Sequence, residues 1–93
     1  MKSQLRISDS SILVKIESEP YVIYTKRGYQ PAVDVIDLHS GTEGFMIISA
    51  MSLADGIQPM VLANKNKFSG IIAVISRASR EKTAPYIVRS EDD

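Results

Sequence analysis

The stretch Ile12-Leu13-Val14-Lys15-Ile16-Glu17-Ser18-Glu19-Pro20-Tyr21-Val22-Ile23-Tyr24-Thr25-Lys26 decides the architecture. Its first part alternates. Ile12, Val14 and Ile16 share one face of a strand, and Lys15 and Glu17 point the other way. Its second part, residues 21–26, is rich in β-branched and aromatic side chains, which suit a pleated surface. Glu19-Pro20 between them has two readings. It is either a tight turn separating two strands or a kink within one long bent strand, because proline is tolerated at edges and bulges.

Beyond this stretch, Arg27-Gly28-Tyr29-Gln30-Pro31 reads as a turn, since glycine takes positive φ readily and proline fixes φ. Residues 32–38 read as a strand, His39-Ser40-Gly41-Thr42-Glu43-Gly44 as a hairpin loop, and residues 45–49 as the returning antiparallel strand. The period then changes. Ala50, Leu53, Ala54, Ile57, Met60 and Val61 recur at helical spacing, with Ser49 or Ser52 as the N-cap. Gly56 and Pro59 predict a kinked helix, or two short ones, within residues 49–63. A competing reading puts residues 60–63 in a strand that hairpins to the next through residues 64–70. Residues 65–70 form a polar loop and residues 71–77 a strand. Residues 80–83 make a charged turn, residues 86–88 a closing strand, and residues 90–93 a flexible acidic tail.

With residues 11–27 as one bent strand, the element order is β-β-β-α-β-β. That is the order of the OB-fold, in which a helix separates the third and fourth strands of a five-stranded barrel. The expectation is therefore a mainly β chain with one short or kinked helix (α+β), folded as a small OB-like five-stranded antiparallel barrel in a single domain over residues 1–93. If Glu19-Pro20 separates two strands, a six-stranded sheet or another small barrel results. The resemblance is one of element order, and function is not inherited from fold.

Composition narrows the class. The chain has 93 residues, 44% hydrophobic and 24% charged, which suits one ordinary globular core. A core of that size leaves stability marginal unless copies associate. The absence of cysteine removes disulfides, thiolate metal sites and cysteine nucleophiles, and fits a reducing compartment. The longest apolar run, Ile71-Ile72-Ala73-Val74-Ile75, is too short to span a bilayer, and Met1-Lys2-Ser3-Gln4-Leu5-Arg6 lacks a signal-peptide core. The expected location is cytoplasmic, with no membrane contact.

The formal net charge is zero, yet its distribution is uneven. Lys65, Lys67, Arg77, Arg80, Lys82 and Arg89 face only Glu81 within residues 64–89, whereas residues 28–63 carry acids and no Lys or Arg. Phe68 and Tyr86 lie in the basic stretch, and Lys26-Arg27 sit among Tyr21, Tyr24 and Tyr29. Cations beside aromatic rings suit a single-stranded nucleic acid, because cations meet phosphates and rings stack on bases. The expected function is non-enzymatic binding of single-stranded nucleic acid, DNA first. Lys26, Arg27, Lys65, Lys67, Arg77, Arg80 and Lys82 would meet phosphates, and Tyr24, Tyr29, Phe68 and Tyr86 would stack. The alternative is a protein-interaction module or homo-oligomeric subunit that joins copies through strand edges such as residues 45–48 and 71–75.

Other chemistry is poorly supported. His39 is the single histidine and shares a loop with Ser40, Thr42 and Glu43, a spacing that does not build a nucleophile–base–orienter set. Asp34 and Asp37 lie three apart in a strand and so face opposite sides; either the face of Asp34 is only half-buried, or Asp34 meets a cation such as Lys26 or Lys15. One histidine, no cysteine and scattered acids give no metal-ligand spacing, and no cofactor fingerprint is present.

Overall fold

A computed structural model describes residues 3–81 and 84–90. Their elements are β1 (Ser3–Gln4), β2 (Ile12–Ile16), β3 (Tyr21–Thr25), β4 (Gly28–Asp37), β5 (Glu43–Ile47), α1 (Met51–Ala63), β6 (Ile72–Arg77) and β7 (Tyr86–Ser90). The fold is mostly β with one helix, as the sequence predicts. The strands form one open, mixed sheet in the order β1-β5-β4-β2-β6-β7, with β3 paired to β4 beside β2.

The opening stretch resolves into a single bent path. Both β2 and β3 run antiparallel to β4, with Ile16 opposite Val35 and Tyr21 opposite Ala32. Five steps along the first path match three along β4, so a bulge sits between. Glu17 N donates to the Asp34 carbonyl at 2.8 Å, and Asp34 N donates to Ser18 Oγ at 2.9 Å, so a serine side chain replaces a ladder partner. Glu19-Pro20 is therefore a kink and not a hairpin turn.

The closed five-stranded barrel is corrected in two respects. First, the sheet has seven strands and stays open, because β1 and β7 end its path without pairing to each other. Second, β1 lies parallel to β5, with Ser3 opposite Gly44. Gly44 allows this approach: a Cβ there would lie 2.5 Å from the Ser3 carbonyl oxygen. A two-residue polar edge strand carries no periodicity, so nothing in residues 3–4 announces it.

Residues 28–31 also belong to a strand and not to a turn. Pro31 fits because it occupies a position opposite Val22 where no N–H is needed. The hairpin between β4 and β5 has the expected antiparallel pairing.

The helix is one continuous segment through Pro59 and includes residues 60–63, which settles them as helical. Proline removes the donor that the Asp55 carbonyl would meet, and both Asp55 and Pro59 are exposed, where water can serve. The N-cap is Ala50, with no side-chain bond. Ser52 is not a cap; its Oγ accepts Tyr86 N at 3.0 Å and ties α1 to β7. Gly56 brings the two closer still, for a Cβ there would meet Val88 Cβ at 2.7 Å.

Leu53 and Ile57 enter the core beside Val14 and Ile16 of β2, Val33 and Val35 of β4, Met46 of β5, and Ala73 and Ile75 of β6, all essentially buried. Burying the side chains in this set that are larger than alanine contributes on the order of 1.5–3 kcal/mol each. The strands of the expected oligomer contacts are interior: β5 is paired on both sides by β4 and β1, and β6 by β2 and β7.

Candidate nucleic-acid interface

A groove of about 1080 Å³ lies beside the start of α1. Its walls come from β1 and the residues after it, the β3–β4 hairpin tip, the end of β5, the first turn of α1, and the facing ends of β6 and β7. Arg6, Lys26, Arg27 and Arg77 line it, and among the described residues none that lines it is acidic. Leu5, Ile7, Met46, Met51, Pro85 and Tyr86 supply apolar surface among these cations.

Local structure fixes the backbone that carries each cation. Lys26 and Arg27 form the two-residue tip of the hairpin. There Thr25 Oγ1 donates to the Gly28 carbonyl at 2.9 Å and accepts from Arg27 N at 3.1 Å. Gly28 supplies the positive φ of 97° that this tight return needs. Arg77 ends β6, and its N–H bonds the Ser8 carbonyl at 2.8 Å. Its guanidinium lies 4.7 Å from the Tyr86 ring centroid, and Nη2 donates to the Tyr86 hydroxyl at 2.6 Å. Arg6 is carried by the N-terminal segment, where Leu5 N donates to the Phe45 carbonyl at 2.7 Å.

The helix adds to the same field. Ala50, Met51 and Ser52 reach the groove, and the first turn of α1 has neither a side-chain cap nor an acidic residue. Its first N–H groups present the positive end of the helix dipole to the groove.

The sequence-predicted set divides. Lys26, Arg27, Arg77 and Tyr86 come together in the groove. Tyr24 and Tyr29 do not line it. They pair across the β3–β4 ladder as an edge-to-face couple with centroids 5.2 Å apart, and are 76% and 75% exposed. Lys65 and Lys67 lie in the loop after α1, outside the groove's lining. Just past the helix end they complement its negative pole. That loop is well defined. Lys65 and Asn66 take positive φ, Asn64 Nδ2 bonds the Lys67 and Ser69 carbonyls, and the Glu19 carboxylate accepts from Phe68 N and Ser69 N. Those two backbone donors hold the Glu19 carboxyl below its usual range.

Phe68 is not a free stacking ring. It packs against the core and lines a small apolar recess with Ile48, Ala54, Ile57 and Val61. Arg80 Nε meets Asp9 Oδ2 at 3.2 Å on the surface. Lys82 and the acidic residues 91–93 lie outside the described residues.

Arg6 was not among the predicted cations. Its one signal is the alternation Leu5-Arg6-Ile7, whose apolar members both pack on the core, a pattern too short to read as a strand. Asp34 accepts the Tyr21 hydroxyl at 2.6 Å, and burial followed by this bond pushes the Tyr21 phenol up to about 12. His39 sits in an exposed loop whose N–H bonds Asp37 Oδ1 at 2.9 Å. Among the described residues no group of three or more His, Cys, Asp or Glu could hold a metal, and no helix is long and apolar enough to cross a membrane.

Comparison with protein-family models, curated proteins and solved structures gives no match, so any functional reading rests on the geometry of the chain itself.

Proposed function

We propose that the protein binds single-stranded nucleic acid in this groove and performs no chemistry on it. One observation carries the reading: Arg6, Lys26, Arg27 and Arg77 converge on one groove, and no acid lines it among the described residues. Four cations from three separate segments of a neutral chain make a local anion-attracting field. The mixture of cations with apolar side chains favours a ligand that has phosphates and also exposed rings. A duplex turns its bases inward and offers mainly phosphates, whereas a single strand offers both.

The β3–β4 tip lines one part of the groove, and Arg77, Ala84 and Pro85 line another. Tyr86 is the one predicted stacking ring in the groove, and the first turn of α1 adds backbone donors for a phosphate.

Fluorescence anisotropy of a labelled oligonucleotide tests this. Four phosphate contacts predict a log–log salt slope of about −3 for a single strand. Single-stranded DNA and RNA should both be preferred over duplex. Absence of binding at low salt and high micromolar protein removes the proposal.

A further inference from the structure

The β3–β4 hairpin extends past the rest of the sheet as a two-stranded arm. Among the described residues β3 pairs only with β4, and the β4–β5 ladder begins at Ala32, with one bond beyond it from Ile48 N to the Pro31 carbonyl. The open edge of this arm can be read from Pro31. It lies opposite Val22, has no N–H, and turns its carbonyl toward β5, where Ile48 N donates to it at 3.0 Å. Positions 22 and 24 are thus the non-hydrogen-bonded positions of the β3–β4 ladder, and their N–H and C=O groups point away from β4.

This edge lacks the usual protections. Tyr21–Thr25 contains no proline or charge. One face of the arm is apolar and exposed: Val22 is 67% exposed, Tyr24 and Tyr29 about three-quarters, and Pro31 is exposed as well. An isolated two-stranded ribbon is marginal in water.

We infer that two copies of this chain pair antiparallel through β3, about a two-fold axis at Ile23. The sequence of the edge is complementary to itself in that register. Val22 of each copy falls opposite Tyr24 of the other, an aliphatic–aromatic pair of the kind that stabilises sheets. All four open backbone positions then form hydrogen-bonded pairs. No like charges meet within the paired segment, since Tyr21–Thr25 carries none. The two arms become a four-stranded sheet with the Tyr24–Tyr29 couples side by side. This inference rests on the β3 edge, which shares only Thr25 with the groove's lining.

The test uses the full chain and its lack of cysteine. Sedimentation across the micromolar range should show twice the chain mass. Ile23→Cys should form a disulfide-linked dimer on mild oxidation, because facing residues at a non-hydrogen-bonded pair have Cα atoms about 4.5 Å apart. Val22→Cys should not, since its copies are offset. Val22→Lys with Tyr24→Lys should give a monomer with an unchanged circular dichroism spectrum, and Val22→Glu with Tyr24→Lys should restore the dimer by opposing charges. A strict monomer throughout, or a dimer that persists in the double-lysine variant, overturns the inference; the second result would mean another surface or another partner occupies this role.

Discussion

Arg77 rests on Tyr86, with its guanidinium carbon 4.7 Å from the ring centroid and its Nη2 2.6 Å from the hydroxyl oxygen. The cation is therefore already placed before any ligand arrives, and binding it to a phosphate costs little further side-chain entropy. Arg77→Ala is expected to lower oligonucleotide affinity about tenfold, the scale of one charged hydrogen bond, and to flatten the salt slope by about 0.7. Tyr86→Phe keeps the ring and loses the anchoring hydroxyl, so its effect should be smaller. Lys65→Ala and Lys67→Ala should leave affinity and slope unchanged. Anisotropy titrations at several salt concentrations check all four. Equal losses at Lys65 and Arg77 would show that the groove is not the site.

Gly56 stands where helix propensity and packing conflict. Alanine in a helix is favoured over glycine by about 1 kcal/mol. At this position, however, the added Cβ would sit 2.7 Å from Val88 Cβ. Overpacking costs of about 1–3 kcal/mol are expected to win, so Gly56→Ala should melt several degrees below the parent. Val88→Ala removes the obstacle at its own packing cost. The double variant should be more stable than the sum of the two single effects predicts, which thermal denaturation of all four proteins would reveal.

The same conflict explains what was legible in the chain. Strong local period was enough for β2, where Val14 and Ile16 are buried and Lys15 is exposed, and for the helix, where Leu53 and Ile57 enter the core. Gly56 argues locally against a straight helix, and only the neighbouring strand shows why it is there. Pro31 argued for a turn, and only its place opposite Val22 makes it harmless. The candidate site was less legible than the fold. Charge density along the chain pointed to residues 64–89, but that stretch is folded back on itself, so Arg77 reaches the groove while Lys65 and Lys67 do not line it. Spatial convergence depends on which strands pair, and that information is non-local.

Glu19 gives the acid response of the fold a specific source. Its carboxylate accepts Ser69 N at 2.9 Å and Phe68 N at 3.1 Å, joining the β2–β3 kink to the loop after α1. These bonds favour the ionised form, so the folded-state pKa is lowered from 4.5. A lowered pKa means that the unfolded chain binds the proton more readily, and stability rises with pH through that window. The contribution is complete above about pH 4.5 and is lost as pH falls through the lowered value. Glu19→Gln should therefore lie below the parent in melting temperature near neutrality, and the gap should close in acid. Melting curves at neutral and acidic pH decide it; a gap independent of pH would mean that the carboxylate charge is not what holds the loop.

Gly44 links the edge of the sheet to the groove without contributing any charge. A methyl group there would stand 2.5 Å from the Ser3 carbonyl oxygen, so Gly44→Ala must push β1 away from β5. Leu5 N bonds the Phe45 carbonyl at 2.7 Å next in line, and Arg6 follows directly. The substitution should thus remove Arg6 from the groove while leaving it in the chain. Oligonucleotide affinity is expected to fall about as far as in Arg6→Ala, on the order of tenfold, with the same flattening of the salt slope. Combining Gly44→Ala with Arg6→Ala should cause little further loss, because both act through one contact. Anisotropy on the two single variants and the double variant measures this coupling. Fully additive losses would separate β1 docking from Arg6, and the groove would then have to be built without the N-terminal strand.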